Sequence, residues 1–203
     1  MAVSSKEMVP ASHPVLAMVG AGSAAGLIAS LAVSALILLA EKVAMLPVGT
    51  FYLMLVSALS QSADYGISSM ALGLLAHLLA GTVLGAVMTL PFALSKKAYG
   101  SLGRLAPAYG LGAGAAVWLV LFAPVTYGTM IPLMQSLEAG SEISQQAPVG
   151  DLSRVAVSDL LAMTDRVVFT ALAFNMLYGL VVLVVARAIA GAALERRARQ
   201  VIL

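Results

Sequence analysis

The 203-residue chain is 61% hydrophobic and only 10% charged, with a mean hydropathy of +1.01 and a net charge of +2. A soluble domain carries roughly 25% charged residues; this chain has too few to coat a water-facing surface, so its expected solvent is lipid. The small net charge argues against nucleic-acid binding. The absence of cysteine excludes disulfides, thiolate zinc sites and cysteine-ligated iron–sulfur clusters.

A spanning helix needs about 20 apolar residues. The first candidate covers 15–40, which holds no charge. The charged stretch before it is thin, and the apolar run is longer than the roughly 7–15 residues of a signal-peptide core, so it is expected to remain as helix one. Glu41 and Lys42 close it and are expected to pair or snorkel at the interface. The run "PVGTFYLMLVSALS" (47–60) is too short to cross and is expected to form an interfacial or re-entrant helix on the outer side. The second span is expected over 70–94, inside an uncharged stretch that also holds His77. The third covers 105–134, where Pro124 is expected to kink it and Trp118 to be buried near mid-span against another helix or a lipid. A long loop, 135–166, follows, and its polar stretch "EAGSEISQQAPVGD" (138–151) is the most evident surface for an extracytoplasmic partner. Ser158 and Asp159 are expected to cap the fourth span, 167–187.

Lysine and arginine set the orientation. Lys6, Lys96, Lys97, Arg104, Arg187, Arg196, Arg197 and Arg199 fall on one side; Lys42, Arg154 and Arg166 fall on the other. Both termini are therefore expected in the cytoplasm, with the chain multi-pass in the plasma membrane. The terminal "ERRAR" (195–199) reads as a topology anchor that also suits anionic lipid heads. Tyr99 and Tyr109 are placed at the inner interface, and Phe51, Tyr52, Tyr65 and Tyr127 near the outer one.

The chain also echoes itself. "HLLAG" (77–81) and "NMLYG" (175–179) each set a polar residue four places before a glycine, on one helix face and at similar depth. "MLP" (45–47) follows the first span as "MIP" (130–132) closes the third, and "GAGSAAG" (20–26) opens the first as "YGLGAG" (109–114) opens the third. The expected fold is all-α: a polytopic four-helix membrane bundle of two tandem helix-hairpin repeats in one membrane domain, related by an axis along the membrane normal, with a short interfacial helix after the first span.

The string at His77, Gly81 and Gly85, with "YGLGAGAAVWLVLFAP" (109–124) and "NMLYGLVVL" (175–183), resembles the DUF6789-like family of small four-span membrane proteins of unknown function. The resemblance covers roughly residues 15–187. Asn175 stands where that family has a second histidine, and the family implies no established reaction.

Between helices in lipid, attraction comes from close packing and hydrogen bonds. Gly22, Gly26, Ser30 and Ser34 form a small-residue stripe on the first span, Gly81 and Gly85 on the second, Gly110 and Gly114 on the third, and Gly179 on the fourth. His77 needs hydrogen-bond partners in lipid, and Asn175 at matching depth is the expected one; a shared metal ligand or proton relay is the functional alternative for the imidazole. The only other histidine, His13, lies outside the spans, so no two-histidine haem fits within one chain. No catalytic residues and no metal site are expected, and no cofactor beyond a compatible bound lipid. The expected partners are membrane lipids and other membrane subunits. The function these features suggest is a non-catalytic accessory subunit of a larger membrane enzyme complex, of respiratory or copper-oxygenase type, that stabilises neighbouring helices. The alternative is a small transporter or channel for an uncharged solute.

Overall fold

A computed structural model describes residues 14–60, 67–139 and 154–202. Four of its helices are long and apolar enough to cross a membrane, and no strand occurs among the described residues. The chain is all-α. Lys6, His13, Tyr65 and nearly all of the 138–151 insertion lie outside the described residues.

Helix α1 spans Pro14–Val43 and opens on a proline, whose missing N–H costs nothing in a first helical turn. Met45 at φ 59° and Gly49 at φ 94° then reverse the chain sharply into α2, Thr50–Ser60. Gly49 is required twice over: its φ favours glycine, and a Cβ there would strike the Met70 side chain. Helix α3, Ile67–Leu94, ends at Ser95, whose side chain accepts from Ala98 N–H and starts α4, Lys96–Val117. The 95–104 connection is therefore helical apart from one residue, because Ser95 provides both stop and start.

The third span reaches Glu138 without a break in helical backbone, as α4, a π turn Trp118–Phe122, α5 Ala123–Val125, a second π turn Thr126–Met130, and α6 Ile131–Glu138. Each π turn ends two residues before a proline, Pro124 and Pro132. A proline ring collides with the carbonyl four residues earlier and offers that carbonyl no N–H. Widening the turn is one way to relieve both problems. Ala123 N–H bonds Trp118 O, and Ile131 N–H bonds Thr126 O, each five residues back. Pro124 and Pro132 are thus each accommodated by a π turn, a feature at which helices bend.

Helix α7, Arg154–Ala162, precedes α8, Thr164–Ile202. Ser158 and Asp159 lie inside α7 and do not cap the fourth span; α8 starts at Thr164 with Asp165 in its first turn. Helix α8 continues through the arginine-rich tail. Its 39 residues are roughly 58 Å long at 1.5 Å per residue, about twice the hydrocarbon core.

Two stripes on α1 organise the bundle. Met18, Ala21, Ala25, Ala29 and Val33 are buried in a core shared with Tyr178, Val182, Leu183, Ala186 and Ala190 of α8. The neighbouring stripe, Gly22, Gly26, Ser30 and Ser34, turns toward α3. Helix α4 packs along the other side of α8, so the order around the bundle is α3, α1, α8, α4. Helix α2 lies on α3 at the end where α1 stops; Lys97, Arg104 and Arg187 mark the opposite, basic end.

Candidate functional site

The glycines set how closely the helices approach. A Cβ on Gly85 would lie 2.7 Å from Gly26 Cα and closer still to Gly22 O; one on Gly26 would strike Gly81 O; one on Gly81 would strike the Ser30 hydroxyl. Helices α4 and α8 repeat the arrangement. A Cβ on Gly179 would strike Gly110 O and reach Gly114 N at 2.8 Å, and one on Gly114 would lie 2.7 Å from Asn175 C. These stripes are occupied by one another within the chain.

The second contact shifts the expected alignment of the two halves. Gly179 meets Gly110 and Gly114 as Gly85 meets Gly22 and Gly26, and Gly114 meets the Asn175 backbone as Gly26 meets that of Gly81. By packing, Asn175 therefore answers to Gly81, one turn from His77. Its Nδ2 donates to Ala171 O in its own helix at 2.8 Å. His77 turns instead to α2, where its ring stands edge-on to Phe51 and Tyr52, with centroids 5.9 Å away in each case. The expected His77–Asn175 bond is not among those formed: the amide is spent on its own helix, and the imidazole Nε2 is buried without a partner. The strap between α8 and α3 is Tyr178, whose hydroxyl donates to Gly81 O.

Around His77 the structure gathers polar groups that the sequence scatters. The antiparallel α1–α3 register sets Ser30 on Gly81; one turn further it brings Ser34 level with His77 and Gly73. Tyr52 comes from α2, with its carbonyl pressed on Gly73 and its phenol beside Ser34. Burial pushes that phenol above its ordinary range; the neighbouring Ser34 hydroxyl opposes the shift and the Glu41 carboxylate adds to it. Thr126 is buried on the second π turn, which packs on α2. Ser30 Oγ, Ser34 Oγ, Tyr52 Oη, His77 Nε2 and Thr126 Oγ1 are all buried without a hydrogen-bond partner. Protein interiors rarely leave such atoms unpaired, and lipid offers them nothing.

Helix α2 is held in place by Glu41. Its two carboxylate oxygens accept from Gly49 N–H at 2.6 Å and Phe51 N–H at 2.7 Å, and the side chain is only 6% exposed. Glu41 thus neither pairs with Lys42 nor snorkels; Lys42 alone is exposed. Tyr52, expected at the interface, is 1% exposed, while Tyr99, Tyr109 and Tyr127 are exposed. Trp118 is half-buried against α8, its indole N–H donating to Val168 O at 3.2 Å.

Sequence reasoning singled out His77, Ser30 and Ser34 but missed Tyr52, Thr126 and Glu41. One signal was available for Glu41: a lone carboxylate at the end of a span, shortly before a glycine and a short apolar helix. The other two depend on which way α2 folds back. Among the described residues, no three histidine, aspartate or glutamate side chains converge as a metal cluster would. No family model matches the chain, and no curated protein and no solved structure matches it either.

Proposed function

We propose that this multi-pass membrane protein binds and passes a small uncharged solute, and that it is not an enzyme. The observation behind this reading is the set of unpartnered polar atoms at Ser34, Tyr52 and His77, drawn from three helices to one place inside the bundle. Buried hydrogen-bonding groups without partners cost stability, and a molecule that satisfied them would bind. On this reading the basic end faces the cytoplasm of a plasma membrane and α2 faces outward. The test is osmotic swelling of proteoliposomes in water, glycerol and urea gradients. At least one solute should pass faster than through protein-free vesicles, and Ser34→Ala and Tyr52→Phe should slow it severalfold. Equal permeability with and without protein for the whole panel would remove the reading.

A second reading is the non-catalytic accessory subunit of a larger membrane enzyme complex, respiratory or copper-oxygenase in type. The small-residue stripes do not support it, because they face each other within the chain. What favours it is the exposed ridge Leu72, Leu75, Leu79, Val83, Val87 and Leu90 on α3, whose spacing of three and four suits a neighbouring helix as well as lipid tails. Native mass spectrometry after mild extraction should then find a second polypeptide with this chain. The likeness to DUF6789-like proteins lends no activity to either reading.

A further inference from the structure

We propose that α2 is the cover of the polar site, latched by Glu41, and that the site behind it takes a small neutral molecule able both to donate and to accept hydrogen bonds. This rests on the solute-binding reading above and adds its ligand class and its means of access.

The ligand class follows from the groups present. Ser30, Ser34, Tyr52 and Thr126 each offer a hydroxyl that donates or accepts, and a neutral imidazole nitrogen takes either role with its tautomer. These residues come from the stretches 15–40, 47–60 and 105–137, and from 65–95, none of which holds a charge. Glu41, whose charge acts on the Tyr52 phenol, has both oxygens engaged by backbone N–H groups. An ion entering here would shed its water with no free counter-charge to meet it. A neutral molecule with hydroxyl or amide groups trades its water for these side chains at little cost.

The cover follows from how α2 is attached. Phe51 and Tyr52 stand edge-on to His77 and separate it from the far side of α2. A Cβ on Gly73 would lie 2.8 Å from Tyr52 C, so α2 is seated directly on the α3 backbone. A short connection with two positive-φ residues, Met45 and Gly49, ties α2 to α1. One polar attachment at this end is the Glu41 carboxylate, which accepts from Gly49 and Phe51. Glutamine in its place keeps one acceptor and turns an amide donor against the other N–H, which loosens the latch while preserving size.

The chain has no cysteine, so single thiols report access cleanly. Ser34→Cys, with Thr126→Cys as a second reporter, is treated in proteoliposomes with neutral methyl methanethiosulfonate and with its trimethylammonium-ethyl analogue. The neutral reagent should react at least tenfold faster than the cationic one after correction for their rates with a free thiol. Adding Glu41→Gln should raise the neutral rate at least fivefold at both reporters. Equal corrected rates for the two reagents would overturn the neutral ligand class. Rates unchanged by Glu41→Gln would overturn the latch and leave solute binding standing. Thiols that no reagent reaches in either background, yet that react fully after denaturation, would overturn the solute-binding reading itself.

Discussion

Gly85→Ala tests the packing on which the whole site depends. The added methyl would strike Gly22 O and sit 2.7 Å from Gly26 Cα, where ordinary contact begins near 3.4 Å, so α1 and α3 must part by at least roughly 0.7 Å. A gap of 0.5–1 Å forfeits about a quarter to a half of the dispersion energy of each contact it opens. The obstruction is backbone on both sides, so no side chain can rotate away. Overpacking of this kind costs about 1–3 kcal/mol, which for a chain of this size corresponds to a fall in Tm of about 2–12 °C. Gly20→Ala and Gly112→Ala are the controls. A Cβ at either position meets nothing within 4 Å, and alanine is the better helix former by up to about 1 kcal/mol. The assay is thermal unfolding in mild detergent, followed by loss of the monodisperse species. If Gly85→Ala proves as stable as Gly112→Ala, close backbone approach is not what joins these helices.

Tyr178→Phe removes the bond to Gly81 O and should cost about 0.6–1.7 kcal/mol, read in the same unfolding assay. Trp118 is the only tryptophan and reports the α4–α8 contact: Gly114→Ala, one turn away, should change its emission, and Gly85→Ala should not. Pro124→Ala restores an N–H to the third span, and hydrogen exchange should show new protection near Trp118–Phe122 as the π turn relaxes toward α-helix. A spectrum and exchange pattern like the wild type would mean that the proline does not cause the widening.

The spans were legible because hydropathy over about 20 residues responds to solvent alone, and α1 and α3 lie within a few residues of their expected limits. The glycine stripes were legible for a related reason: four-residue spacing keeps small groups on one face whatever that face meets. What a face meets is a tertiary fact. The sequence places His77 and Asn175 at equal depth, yet a turn of register and the fold-back of α2 decide that the imidazole sees Phe51 and Tyr52. Glu41 was read as a boundary charge because the backbone N–H groups that donate to it belong to the following segment, whose path depends on Met45 and Gly49 adopting positive φ.

The corrected register also accounts for why the polar site occurs once in a chain that packs its two halves alike. Gly22 and Gly26 answer to Gly110 and Gly114. Carried onward by one and two turns, Ser30 and Ser34 answer to Trp118 and Phe122, the first and last residues of the first π turn. His77 correspondingly answers to Ala171, whose carbonyl is taken by Asn175 Nδ2. In the second half, then, an indole and a phenyl ring occupy the positions of the two serines, a methyl group stands for the imidazole, and the indole N–H is satisfied by Val168 O. The segment after the third span, α7, packs on α6, whereas α2 folds back on α3. In the second half Trp118 and Asn175 donate to carbonyls of α8 and, among the described residues, only Thr126 is left over; the first half keeps two serines, a tyrosine and an imidazole beside a helix latched by a carboxylate. Both halves pack through the same kind of glycine contact, so the proposed site rests on the residues by which they differ rather than on the packing they share.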